Sequence, residues 1–184
     1  MRHETIEKSA GLLGVLTAIA ISIGGLAEIV PLIMSREAVE PTPGVVPYAA
    51  IQIEGRDVTI QAWVYLVASP TGGKIPILFL DTDVPENTPE DRGITDYLYG
   101  GDHTYRIKQE VVLGMGGVRM LHALEFHIKK YHMNEGHAAF LTLELIREKM
   151  AGGQKFDAAL TATKTECIFT THTPVPAGHD AFPF

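Results

Sequence analysis

Cysteine is nearly missing from this chain of 184 residues, where Cys167 stands alone. A lone cysteine excludes an internal disulfide, a two-cysteine metal knuckle and a Cys-x-x-Cys-His haem attachment. Within Glu166-Cys167-Ile168-Phe169 it reads as a small buried hydrophobe, since free cysteines are mostly core residues and no base sits beside it. A basic surplus is missing too: the net charge of −7 leaves no electrostatic footprint for nucleic acid. Metal-ligand spacing is absent among the histidines. His122, His127, His132 and His137 recur every five residues, which puts no two at i, i+4 on a helix, and no carboxylate lies at ligand spacing, so no metal is expected. Internal repeats and low-complexity tracts are also lacking. With 46% hydrophobic residues, the chain is long enough for one domain with a core, plus an appendage.

What is present begins with a hydrophobic run. No charge occurs from Ser9 to Ala27, and beyond Glu28 the segment Ile29 to Met34 continues apolar. About 20 apolar helical residues cross a bilayer core of roughly 30 Å. Residues 1–34 are therefore expected to be a transmembrane anchor helix, with membrane association through 10–34. Arg2 and Lys8 ahead of it favour a cytoplasmic N-terminus. A cleavable secretory signal ending at Gly25-Leu26-Ala27 and a buried helix of a soluble domain are the competing readings. Residues 35–48 form a polar, proline-bearing linker, and 49–184 are expected to form an α/β lobe.

Within that lobe, Ala49 to Ala68 reads as two strands broken at Glu54-Gly55-Arg56-Asp57, a hairpin. Ser69 to Gly73 is a turn, and Lys74 to Leu80 a strand ending at Asp81-Thr82-Asp83. Thr88 can cap, and Pro89 suits the first position, of a short helix running toward Tyr99. A long helix is expected from about His103 to Leu124, burying Ile107, Val111, Val112, Met115, Val118 and Leu121. Its opening, Tyr105 to Glu110, reads as solvated. Gly114-Met115-Gly116-Gly117 lies inside this helix and so suits close packing rather than a phosphate loop. A strand (His127 to Met133), two helices (Gly136 to Met150, Phe156 to Thr163) and a strand (Cys167 to Thr170) follow. That alternation predicts a parallel sheet covered on both faces.

Two segments carry candidate chemistry. Asn134-Glu135-Gly136-His137 leaves a strand and opens a helix. Asn134 can cap it, Glu135 suits the positive helix end, and Gly136 permits a sharp turn. Thr170-Thr171-His172-Thr173-Pro174 ends the next strand, with Pro174 and Pro176 stiffening the exit. Ligands of open α/β sheets bind where strands end, so Glu135, His137 and His172 are expected at one edge as a polar rim. A structural cap and a satisfied buried histidine are the competing readings.

Leu80-Asp81-Thr82-Asp83-Val84-Pro85-Glu86-Asn87, Leu98-Tyr99-Gly100-Gly101-Asp102, Arg106-Ile107-Lys108-Gln109-Glu110 and the two segments above occur in the order seen in α-glucan (glycogen, maltodextrin) phosphorylases. From about Val58 to Phe184 the chain resembles the N-terminal lobe of that family. The resemblance implies a partial Rossmann-like lobe of the GT-B fold and reversible glucosyl transfer from an α-1,4-glucan to phosphate, with pyridoxal phosphate as cofactor. It implies that His172 is the catalytic histidine at the reacting glucose and that Glu135 and His137 line the sugar pocket. Asp102 would lie on the loop gating the cleft, with Arg106 just behind it. The cofactor's lysine belongs to a second lobe not present in these residues, so the chain alone is expected to be inactive. Glu125 stands where the family closes a helix with glycine.

The first 57 residues resemble a different family, the membrane-anchored monohaem cytochrome subunit of cbb-type oxidases. Thr59 to Tyr65 replaces the haem motif expected there, so no haem is implied. The chain reads as a chimera. It would be membrane-anchored if 10–34 inserts, and cytoplasmic if only the phosphorylase-like part is meaningful. The rival functions are a non-catalytic carbohydrate-binding scaffold and a membrane subunit of a respiratory complex.

Overall fold

The computed structural model describes residues 48–68, 74–97, 101–171, 174 and 181–182. The expected anchor, the linker up to residue 47, the turn at 69–73 and His172 lie outside the described residues. The first sheet starts from the period-2 pattern anticipated above. Strand β1 (Tyr48–Ile53) alternates exposed and buried residues, sending Ala49, Ile51 and Ile53 inward. Glu54 (φ 50) and Gly55 (φ 77) both take positive φ, the two-residue turn whose twist suits a hairpin. Strand β2 (Arg56–Ala68) returns antiparallel, pairing Ile51 with Val58 and Ala49 with Ile60. Strand β3 (Lys74–Asp81) pairs antiparallel with β2, from Gln61 opposite Asp81 to Ala68 opposite Lys74.

The ladder does not stop where β3 ends. Asn87 continues it with one side chain: its Oδ1 accepts from Thr59 N at 2.8 Å, and its Nδ2 donates to Thr59 O at 2.7 Å and Thr82 O at 2.8 Å. Thr88 then caps α1 (Pro89–Arg92) by accepting from Asp91 N, with Pro89 leading the helix as anticipated. A 3-10 turn, Gly93–Thr95, follows.

Helix α2 (His103–Val111) begins at the Asp102 cap. A π-helical turn (Val112–Gly116) leads into α3 (Gly117–Ala123), so the expected long helix is present with a widened middle. The glycines explain how it packs. A Cβ on Gly114 would fall 2.6 Å from Leu141 N, and one on Gly116 2.4 Å from Ile60 Cδ1. At Gly114 the neighbour is backbone, so only a residue without Cβ fits, whereas at Gly116 it is the end of the Ile60 side chain. The solvated opening of α2 is corrected: Lys108, Gln109 and Glu110 are buried. Each of the first two finds polar partners, Lys108 at the surface and Gln109 on buried backbone. Lys108 Nζ meets Glu90 at 2.8 Å and Glu54 at 3.1 Å, while Gln109 Nε2 donates to Ile94 O and Tyr97 O.

Helix α3 closes at a left-handed Glu125 (φ 59). Glu125 N donates to His122 O and Phe126 N to Leu121 O, the paired bonds of a Schellman end that ordinarily uses glycine. Strand β4 is shorter than expected, Tyr131–Asn134. Its partner β5 (Cys167–Thr170) offers only four residues, pairing Tyr131 with Cys167 through Asn134 with Thr170. Helices α4 (Leu141–Ala151) and α5 (Phe156–Glu166) connect the two strands.

The architecture is mixed α/β, with an antiparallel three-stranded sheet and a parallel two-stranded one. The parallel sheet expected from sequence is present only as the β4–β5 pair, and the first three strands form a separate antiparallel sheet. A parallel connection needs a crossover of a dozen or more residues. Only 54–55 and 69–73 separate the first three strands, which forces antiparallel pairing. The core has two adjoining clusters: Ile51, Val58, Ile60, Leu80, Ile94, Val112 and Met120 under the first sheet, and Leu78, Val118, Leu121, Tyr131, Met133, Leu141 and Leu145 under the second. Cys167 is half-buried against the second cluster rather than sealed within it, and burial pushes its thiol up.

Candidate functional site at the end of the parallel pair

The polar site is built where β4 runs out. Glu135, the next residue, donates its N–H to Thr170 O at 2.8 Å, extending the β4–β5 ladder by one bond. Its backbone sits at φ 60, ψ −161, a region that is nearly glycine-only and costs of order 1–3 kcal/mol. Its side chain is buried, with the residue only 2% exposed. A strained, buried carboxylate at a strand's carboxyl end is the kind of outlier that collects at ligand sites. The sequence reading gave the sharp turn to Gly136 and the cap to Asn134. Here the strain falls on Glu135, Asn134 is the last residue of β4, and Glu135 occupies the cap position of the following 3-10 turn without a side-chain cap bond.

That turn, Gly136–Ala138, carries His137. The half-buried ring places Nδ1 3.9 Å from Glu110 Oε1 on α2. Helix α2 reaches the site because Gly114 lets its continuation press on Phe140 and Leu141. Positions 102, 106 and 110 recur every four residues on α2, placing Asp102, Arg106 and Glu110 along one side of the helix. Asp102 is exposed and spends Oδ1 on Tyr105 N at 2.9 Å, so its visible work is capping. Arg106 is half-buried. The structure therefore gathers Glu135 and His137 at one strand exit and brings Glu110 to the histidine. His172 lies outside the described residues, two positions after Thr170.

Glu110 escaped the sequence reading. The signal was there: an Arg106-x-x-x-Glu110 pair in a helix whose next turn is glycine-rich. Tyr131 and Met133 of β4 are buried in the second core cluster, and burial pushes the Tyr131 phenol up to about 12. Among the described residues, no group of three or more His, Cys, Asp or Glu is placed to hold a metal.

Comparisons with known proteins divide the chain. A family model described as "Cytochrome C oxidase, mono-heme subunit/FixO" matches residues 3–69. Over 117 residues, 60% of the chain, it is 52% identical to a glycogen phosphorylase of Mycobacterium tuberculosis. Over 111 residues, again 60% of the chain, it is 51% identical to a maltodextrin phosphorylase of Thermococcus litoralis. A glycogen phosphorylase of Aquifex aeolicus is 37% identical over 112 residues, 61% of the chain. No solved structure matches. Both resemblances read from the sequence are thus found by comparison, and the chain spans 13 to 16% of the length of these three phosphorylases.

Proposed function

We propose that residues from about 58 to 184 are a partial Rossmann-like lobe of the GT-B kind, taken from an α-glucan phosphorylase, and that they bind the glucose end of an α-1,4-glucan. The observation that carries this reading is the strained, buried Glu135 beside His137 at the carboxyl end of β4. The identity to glycogen and maltodextrin phosphorylases supports it. In this reading Glu135 and His137 hold sugar hydroxyls, His172 meets the reacting glucose, and Asp102 and Arg106 stand at the mouth. Phosphate is the second substrate, and catalysis would work by fixing hydroxyls around a sugar that gains positive charge in the transition state.

Pyridoxal phosphate belongs to the proposal for the whole phosphorylase. Three of the described lysines are already engaged: Lys108 by Glu90, Lys130 by the Thr165 carbonyl and Lys149 by Glu166.

Calorimetric titration with maltoheptaose tests the reading. Binding at millimolar ligand is expected, weakened about tenfold, or 1.4 kcal/mol, in Glu135→Gln. No heat from the unaltered chain at millimolar ligand overturns it.

The match over residues 3–69 favours a second reading, a membrane subunit of a respiratory complex anchored by residues 10–34. Among the described residues, no helix is long and apolar enough to cross a membrane, and 10–34 lie outside them. Retention of the chain in membranes at alkaline pH and co-purification with oxidase subunits are the expected results. Release into the alkaline supernatant removes the anchor.

A further inference from the structure

We propose that Gly136 is a specificity-determining position, where the missing side chain lets a pyranose ring lie directly on the backbone between Glu135 and His137. The identity of the ligand as a saccharide rests on the reading above. The bare surface itself stands on geometry.

A glycine is ordinarily needed by a fold for one of two reasons, a left-handed backbone or a close approach by a neighbour. Gly55, Gly101 and Gly153 meet the first, with φ of 77, 75 and 95. Gly114 meets the second, since a Cβ there would fall 2.6 Å from Leu141 N. Gly136 meets neither. Its φ lies outside the left-handed region, and among the described residues a Cβ built on it would meet nothing within 4 Å. The sharp turn expected of it is made instead by Glu135, at φ 60. Alanine would suit the 3-10 turn at this point as well as glycine does, so the empty space serves something outside the fold.

Its place says what that is. Gly136 is exposed at the exit of β4, with the buried Glu135 before it and the half-buried His137 after it. A bare Cα flanked by two polar residues suits a ligand with a hydroxylated rim and a flat face of C–H groups, which is the chemistry of a pyranose. A methyl group on that Cα would stand out by about 1.5 Å. Hydrogen bonds to the rim hydroxyls are lost over a smaller displacement than that, so even alanine would hold the ring off its partners.

Calorimetric titration of the Gly136→Ala chain with maltoheptaose, beside the unaltered chain, tests this. The expected result is an affinity lowered about tenfold or more. The urea midpoint should be unchanged or raised, because alanine restricts the unfolded chain at no cost where the folded backbone accepts it. Exchange of the Glu135 amide, which donates to Thr170 O at 2.8 Å, should also be unchanged, showing that the strand exit keeps its shape. A lowered midpoint or a faster Glu135 exchange assigns the glycine to the fold and overturns the proposal. Binding by the variant within about twofold of the unaltered chain overturns it too, and leaves the saccharide reading standing. No heat from the unaltered chain removes the saccharide reading and this assignment with it.

Discussion

In the antiparallel sheet, Ile51, Val58, Ile60 and Leu80 are all 1% exposed or less, whereas on β5 of the parallel pair Ile168 and Phe169 stand 49% and 54% exposed. Parallel strands are normally covered on both faces, so β5 adds little buried apolar area among the described residues. The contrast separates two duties. The hairpin buries its apolar side chains almost completely, and the parallel pair fixes where strands end and hence where Glu135 stands. Helix α4 joins the two. Its Glu144, 0% exposed, is gripped by Arg147 and Arg119, and Arg119 reaches across to Ala50 O on β1.

Four perturbations probe that division. Ile60→Ala should be the most damaging, costing about 4 kcal/mol through lost burial and a cavity. Urea unfolding measures it, and an equal or greater loss from Met133→Ala would break the contrast.

Glu144→Gln should cost about 3 kcal/mol, the low end for a broken buried pair, because the half-exposed Arg147 can turn to water. Burial of Glu144 raises its carboxyl, but the bonds from Arg147 and Arg119 prevail and hold it below its ordinary 4.5. Asp91 is likewise held below 3.8, chiefly by Arg56. Both folded values are depressed, so this stability is complete above about pH 4.5 and disappears as pH falls through the folded values. A urea-midpoint profile against pH should flatten in acid for Glu144→Gln.

Gly114→Ala should cost about 2 kcal/mol by overpacking, since the clash is with backbone, and should loosen His137 more than the hairpin in hydrogen exchange. Glu125→Gly should instead stabilise the fold by about 0.5 kcal/mol, read as a raised thermal midpoint, because a φ of 59 strains glutamate and not glycine.

Much of this was legible in the sequence, for physical reasons that differ by region. The hairpin announced itself by alternation around Glu54-Gly55, and α1 by Thr88 and Pro89. These are local signals that tertiary packing had no cause to override. The misfit at Glu125 was readable as well. The parallel pairing expected from the helix–strand alternation of the second half is found there, between β4 and β5, while the first three strands, whose links are too short for crossovers, pair antiparallel. The buried Lys108-Gln109-Glu110 run was hidden because its partners, Glu54, Glu90, Ile94 O and Tyr97 O, are remote in sequence. The β4 exit was located correctly, while the division of strain between Glu135 and Gly136 depended on a ladder bond to Thr170.

The eight-residue register between β2 and β3 has a consequence for how such a chain could arise. Strand β2 falls inside the stretch matched at 3–69, and β3 lies beyond it. With the phosphorylase-like part beginning at about 58, a seam between 58 and 69 would fall within or just after β2, whose backbone ladder to β3 and whose Val58 and Ile60 share one interior with Leu80. Neither side of such a graft could keep this interior dry by itself, so the junction is viable only as a single cooperative folding unit.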